Sequence, residues 1–510
     1  MGKEALLSEG GIWFLVAYLC SLILIGFAGK MASKEESLKD FYLGGQGFGV
    51  GVLFLTMYAT QYSGNSLIGF AGSAYRNGWF FLVGVTFMIA IVAGYLLYAP
   101  KLYPISKKHG FITVGDYINF RYNSQLLTYI VVGISIFALS NYMLTNLKAI
   151  GYIMEYVTGG GIGFTEGIIF MSIIMVIYET LGGMRSVAWT DAIQGVLLFV
   201  GVIIIFSVVM VQYGSLSDNS ALFLQNVPQL FNEVSLSNQI TWLSVLILIF
   251  FGISVYPQAI QRIYSAKNES TLRRSLSLMV IMPLLTTLPL IIIAIIGSAH
   301  FPELDKAGSE QIILLMLNKL THIEGMNVVI TIFVAAAVAA IMSTVDSAML
   351  AIASLFTQDI YHKQNPKASQ KKLTYVGKIF SWFIMAFMVV LAINLPSTIW
   401  WLIQIKLEIL VHIAPAIMLG VHFKKLSTKS ILYGLGVGLA VTLLFLLTPL
   451  PSKPFGFHAG VIGLVFNFLT IYICHRFSKL NEKSGIEKGL EQIKNGDFYS
   501  SQEILKELHK

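Results

Sequence analysis

AAAVAAIMSTVDSAMLAIASLFTQDIY, Ala335 to Tyr361, is apolar at helical period and long enough to cross a bilayer, yet Ser343, Thr344, Asp346 and Ser347 fall within five residues of it. Hydroxyls and a carboxylate in the middle of a lipid-length helix are costly, so they face protein or a water-filled cavity. Oxygen donors of this kind suit a hard, weakly held cation such as Na⁺. Close helix–helix packing also favours small and hydroxylated residues, and the stretch alone leaves both readings open.

The rest of the chain fits a membrane setting. Of 510 residues, 56% are hydrophobic and 12% charged, with a mean hydropathy of +0.74. A soluble domain carries roughly twice that charged fraction. The apolar residues come in blocks of about twenty separated by short charged loops, the pattern of a polytopic helical membrane protein. The net charge of +8 resides in those loops and is no nucleic-acid signal. Cys20 and Cys474 lie in separate apolar blocks and suggest neither a disulfide nor a metal site. The first apolar block follows Glu4 and Glu9, which is not the pattern of a cleavable signal peptide.

Hydropathy predicts thirteen spans, at about 11–29, 48–75, 79–100, 125–157, 164–181, 188–213, 237–258, 275–297, 326–357, 374–394, 397–420, 430–449 and 456–475. The odd-numbered loops carry nineteen Lys and Arg, and the even-numbered ones carry four: Arg76, Lys306, Lys319 and Lys453. The positive-inside rule then puts the N-terminus outside and the C-terminus in the cytoplasm of a cell-membrane protein. The tail beyond Arg476 reads as a solvated or surface-lying helix.

Two spans read as broken. The second contains YATQYSGNSLIGFAG, Tyr58 to Gly72; the seventh contains FFGISVYPQAIQR, Phe250 to Arg262, interrupted by Gly252 and Pro257. Five spans apart, they enter the membrane from opposite sides, and such a pair points to the solute and ion site of an inverted-repeat transporter. A cation site of that kind joins carbonyls freed near Ala59 and Tyr62 to the hydroxyls of Ser343 and Thr344. Asp191, in LGGMRSVAWTDAIQG of the sixth span, is a second cation ligand with Asp346 and Ser347, the partner of Arg185, or an acid at the helix N-terminus. In the eleventh span Lys406 and Glu408 are two apart and share no helix face. They meet a solute carboxylate or pair with buried groups such as Lys148 and Glu155; we expect the pairing.

GGMRSVAWTDAIQG, IMSTVDSAMLAIASLFTQDIY and the span from Tyr58 to Gly72 resemble the sodium/solute symporter family of proline, pantothenate, sialic acid and sugar transporters, over about residues 10–480. The resemblance implies an all-α, LeuT-like core of two inverted five-helix repeats. Its expected divisions are an N-terminal helix and loop (1–45), repeats at 46–225 and 226–425, two extra helices (426–478) and a cytoplasmic tail (479–510). It implies a main Na⁺ site at the carbonyls of Ala59, Tyr62 and Ala340 and the hydroxyls of Ser343 and Thr344. A second site, present in some members, falls on Asp191, Ser343, Asp346 and Ser347, with Asp346 where some relatives have serine. Solute contacts fall on Gln61, Ser63 and Ser66, with Asn141, Tyr256 and Pro257 as further candidates. Proline transporters carry aspartate at the position of Gln61 and aromatics where this chain has Ile249 and Ile253, which argues against proline.

The expected function is Na⁺-coupled import of a small organic solute, such as an amino acid, carboxylate or vitamin, by alternating access. The alternatives are an H⁺-coupled symporter, a channel, or a transporter-like sensor with a separate signalling partner. No motif suggests an enzyme. The expected partners are the solute, Na⁺ and the bilayer, without nucleic acid, in a monomer or weak oligomer.

Overall fold

The computed structural model describes residues 5–33, 35, 37–231, 234–395 and 399–494. Twelve of its helical segments are long and apolar enough to cross a membrane, and Val50–Gln61 is a shorter apolar helix. Counting Val50–Gln61 as the first half of a broken second span, and dividing Ser66–His109 at Gly78 (φ +59), gives the thirteen spans the sequence predicts. Several helices overrun their hydropathy blocks. The sixth runs from Met184 to Gln212, so Arg185 sits in its first turn and is buried. The thirteenth continues from Ala459 to Lys494, and the tail from 495 lies outside the described residues.

The ninth span, Met326–Leu355, is the centre of the molecule. Every residue from Phe333 to Leu355 is buried, as expected of a helix enclosed by protein on all sides. It packs against the sixth and fourth spans and touches the first and second. Its alanine-rich approach lets neighbours come close: an added Cβ at Gly201 of the sixth span would meet the Ala336 methyl at 2.8 Å.

Both predicted breaks are present. Val50–Gln61 stops at Tyr62, whose extended backbone (φ −95, ψ 103) cannot continue the helix. A π turn over Asn65–Gly69 leads into Phe70–Asn77. The seventh span runs from Leu236 to Gly252, passes through a 3₁₀ turn at Ile253–Val255, and resumes as Pro257–Ser265. Pro257 opens the resumed helix, where its missing N–H leaves no bond unmade. A backbone bridge ties the start of one broken span to the end of the other. Phe48 N–H donates to the Ser265 carbonyl at 3.3 Å, and Lys267 N–H to the Phe48 carbonyl at 3.0 Å.

Candidate functional site: a broken-helix cation cluster beneath a basic cavity

At the break in the second span, two carbonyls lose their helical donors. The Ala59 carbonyl would ordinarily accept from Ser63 N–H, but that group turns to the Ser66 hydroxyl at 3.4 Å. The Tyr62 carbonyl would accept from Ser66 N–H, but that group bonds the Ser63 carbonyl at 2.9 Å. Freed carbonyls in a buried segment need a partner. These are the two carbonyls expected at the main sodium site.

Gly64 brings this break onto the ninth span. A Cβ there would meet Ile341 Cγ1 at 2.6 Å, so only glycine allows the approach. Two residues further along, the Ser343 hydroxyl donates to Asp191 Oδ1 at 2.6 Å, and the Thr344 hydroxyl to the Ala340 carbonyl at 3.0 Å. The Tyr142 hydroxyl of the fourth span sits beside the hydroxyls of Ser63 and Thr344, linking the two elements. Carbonyl and hydroxyl oxygens of this set fit a hard monovalent cation.

One turn deeper lies a charged cluster built around a residue just beyond the seventh hydropathy block, 237–258. Arg262, on the resumed half of the seventh span, is fully buried. Its guanidinium pairs with Asp191 Oδ2 at 2.7 Å, donates to the Thr56 hydroxyl at 2.9 Å and to the Gln258 carbonyl at 3.1 Å, and reaches the Ser347 hydroxyl. Thr56 also donates to Asp191. Asp346 accepts from the Tyr178 hydroxyl at 2.5 Å and lies 3.4 Å from the Ser347 hydroxyl. Asp191, Ser343, Asp346 and Ser347 therefore come together, but with an arginine among them.

Of the alternatives for Asp191, the pair with Arg185 does not form. Arg185 makes a bidentate pair with Asp40, at 2.5 and 2.6 Å, because the sixth helix begins early enough to aim it at the short helix after the first span. The expected pairing of Lys406 and Glu408 with Lys148 and Glu155 is also corrected. Glu408 accepts from His458 Nδ1 at 2.8 Å and from Gly460 N–H of the thirteenth span, while the Lys148 ammonium donates to the Leu395 carbonyl. Lys406 lies over the Tyr142 ring, 3.9 Å from its centroid, and Tyr142 stacks on Tyr256 at 5.4 Å.

Above the cluster, a cavity of about 400 Å³ runs from buried Gln61 and Arg262 to exposed Lys306. Gln61, Ser63, Ser66 and Tyr256 are on its wall, as is Tyr142. Asn141 and Pro257 are not among its lining residues; each stands next in sequence to one that is. Arg262, Gln258 and Lys406 also line it. The signal for Arg262 was an arginine five residues past a proline that restarts a helix rather than ending one. Outside the spans, burial raises the Glu310 carboxyl above its usual range against the pull of Arg76 and Lys306. Burial lowers the Lys453 ammonium, with Glu408 acting the other way.

Comparison with known proteins places this architecture. The sequence model of the sodium:solute symporter family matches residues 41–438. The chain is 26% identical over 461 residues to the sodium/pantothenate symporter of Haemophilus influenzae, covering 89% of this chain and 93% of that protein. It is 24% identical over 505 residues to a sodium/proline symporter of Staphylococcus aureus, covering 94% and 95%. A substrate-bound, outward-open Na⁺-coupled sialic acid symporter superposes with a TM-score of 0.76 at 20% identity, over 92% of this chain and 97% of that one. A nucleobase-cation-symport-1 transporter in a closed conformation gives 0.51 at 13% identity, over 85% and 92%. These likenesses identify the fold as LeuT-like. With most of its length matched, the chain belongs to the sodium:solute symporter family, multi-pass membrane transporters that couple movement of a small organic solute to Na⁺.

Proposed function

We propose that the chain imports its solute by alternating access, with one sodium ion held by the carbonyls of Ala59, Tyr62 and Ala340 and the hydroxyls of Ser343 and Thr344. The observation that carries this reading is the pair of carbonyls, Ala59 and Tyr62, that lose their helical donors beside two buried hydroxyls. A hydroxyl now donating to Ala340 or Asp191 rotates to present its lone pairs when the ion arrives. Neutral ligands alone hold Na⁺ loosely enough for release where it is scarce. Linkage then supplies the coupling: if sodium favours the solute-ready arrangement, solute favours sodium by the same factor.

Asp191, Ser343, Asp346 and Ser347 stand differently. Arg262 is already a cation at that position, and a second ion there would face a like charge. On this reading the arginine serves as a built-in counter-ion and ties the resumed half of the seventh span to the second, sixth and ninth.

Residues 46–225 and 226–425 form the two inverted halves, 1–45 and 426–478 the added helices, and 479–510 the tail. The excess of Lys and Arg in the odd loops supports an external N-terminus, so the cavity opens outward. The pathway lies within one chain and needs no nucleic acid. Replacing both Ser343 and Thr344 with alanine should raise the Na⁺ concentration for half-maximal uptake at least tenfold, read in proteoliposomes. An unchanged sodium dependence would remove the ion from this site.

A further inference from the structure

Among the described residues, the cavity wall carries five cationic side chains and no carboxylate. Most of these cations are accounted for. Arg262 is answered by Asp191, and Arg76 donates to the Ser309 hydroxyl at 2.5 Å with Glu310 nearby. Lys306 and Lys453 stand at the mouth, where water reaches them.

Lys406 is different. It is 2% exposed, deep in the cavity, and among the described residues no carboxylate lies within 4.0 Å of its ammonium. Its recorded contact is the face of Tyr142. A cation–π contact returns less than the solvation a buried ammonium gives up, so the charge is only partly compensated. Around the same space, Gln61 Oε1, Gln258 Oε1 and the Tyr256 hydroxyl are buried without a hydrogen-bond partner. A buried ammonium facing an enclosed space with unused amide oxygens matches a ligand that brings a negative charge and a few donors of its own.

We propose that Lys406 anchors the carboxylate of the transported solute, and that the solute class is a small organic monocarboxylate bearing hydroxyl or amide donors. The donors would meet Gln61 and Gln258. The same arrangement disfavours amino acids, because a zwitterion's ammonium would enter a cavity that offers it cations and no acid. Tyr142 connects this anchor to the sodium reading, since its ring carries Lys406 while its hydroxyl sits beside Thr344. The mouth cations draw anions toward the opening. This inference rests on the cavity being the solute site, and it is independent of which ion drives transport.

The test is uptake by the full-length protein in proteoliposomes, using labelled pantothenate, N-acetylneuraminate and lactate beside L-proline and glucose. Each carboxylate is competed against its own primary amide. Carboxylates should be taken up and should compete, whereas their amides, proline and glucose should not. Lys406→Met should raise the half-saturating carboxylate concentration at least tenfold, and Lys406→Arg should lie closer to wild type. Thermal stabilisation by Na⁺ should be the same in all three proteins, which excludes misfolding as the cause.

Wild-type half-saturation in Lys406→Met, equal competition by the amides, or uptake confined to proline or glucose would each overturn the proposal. So would a failure of every carboxylate to be taken up. Carboxylate-selective, Lys406-dependent uptake that ignores Na⁺ would instead sink the sodium-coupled reading and leave this one standing. Sodium-driven uptake of a neutral solute would do the reverse.

Discussion

Among single residues, Arg262 carries the largest stake. A fully buried guanidinium and a fully buried carboxylate 2.7 Å apart compensate each other, with Thr56, Ser343 and Ser347 completing the hydrogen bonds. Removing one partner strands the other, which costs about 3–5 kcal/mol. Arg262→Met should therefore destabilise strongly, and Arg262→Met combined with Asp191→Asn should recover much of the loss, read as a double-mutant cycle in thermal unfolding. Additive losses would mean the two residues act separately. Read from sequence, Asp191 had more than one candidate role, and its partner was missed. Arg185, six positions away, looked the nearer choice, but a helix start four residues earlier than hydropathy suggested sends it to Asp40. Which of two arginines meets a buried acid depends on three-dimensional packing, not on distance along the chain.

At the scale of elements, the breaks were legible because two spans five apart are each interrupted by glycine, proline or polar residues, a pairing that a single tolerated kink does not give. What lay beyond a break was harder to read. Pro257–Ser265 contains Gln258, Gln261 and Arg262 and looks like the start of a loop, yet all nine of its residues are buried. Hydropathy measures suitability for lipid. A half-helix lodged between the second, third and ninth spans meets protein instead, so its composition is released from that constraint. The ninth span shows the same release in reverse: its hydroxyls signalled a site because the surrounding residues still looked lipid-compatible. The break in the second span fits tightly against the ninth span at Gly64. Gly64→Ala would press its methyl into Ile341, and overpacking of this kind costs about 1–3 kcal/mol. Because Ile341 lies two residues before Ser343, the variant should also raise the half-maximal Na⁺ concentration for uptake. Unchanged sodium dependence together with unchanged stability would show that the break yields freely.

Across the whole molecule, the pattern of spans, the helical class and the family were readable in sequence, since lipid imposes length and polarity on every exposed helix. The solute was not, because the cavity proposed to hold it draws residues from the second, third, fourth, seventh and eleventh spans and the loops beyond them, brought together only by folding. The proposed coupling has a structural basis: the oxygens proposed to hold sodium belong to a broken helix and its central neighbour, and Ser63 and Ser66 of the same break line the cavity. The most direct test imposes a Na⁺ gradient across proteoliposomes containing the purified protein and follows labelled monocarboxylates. The account predicts concentrative uptake that collapses when the Na⁺ gradient is dissipated and is not restored by a proton gradient. Uptake driven by the proton gradient with sodium equal on both sides would contradict it.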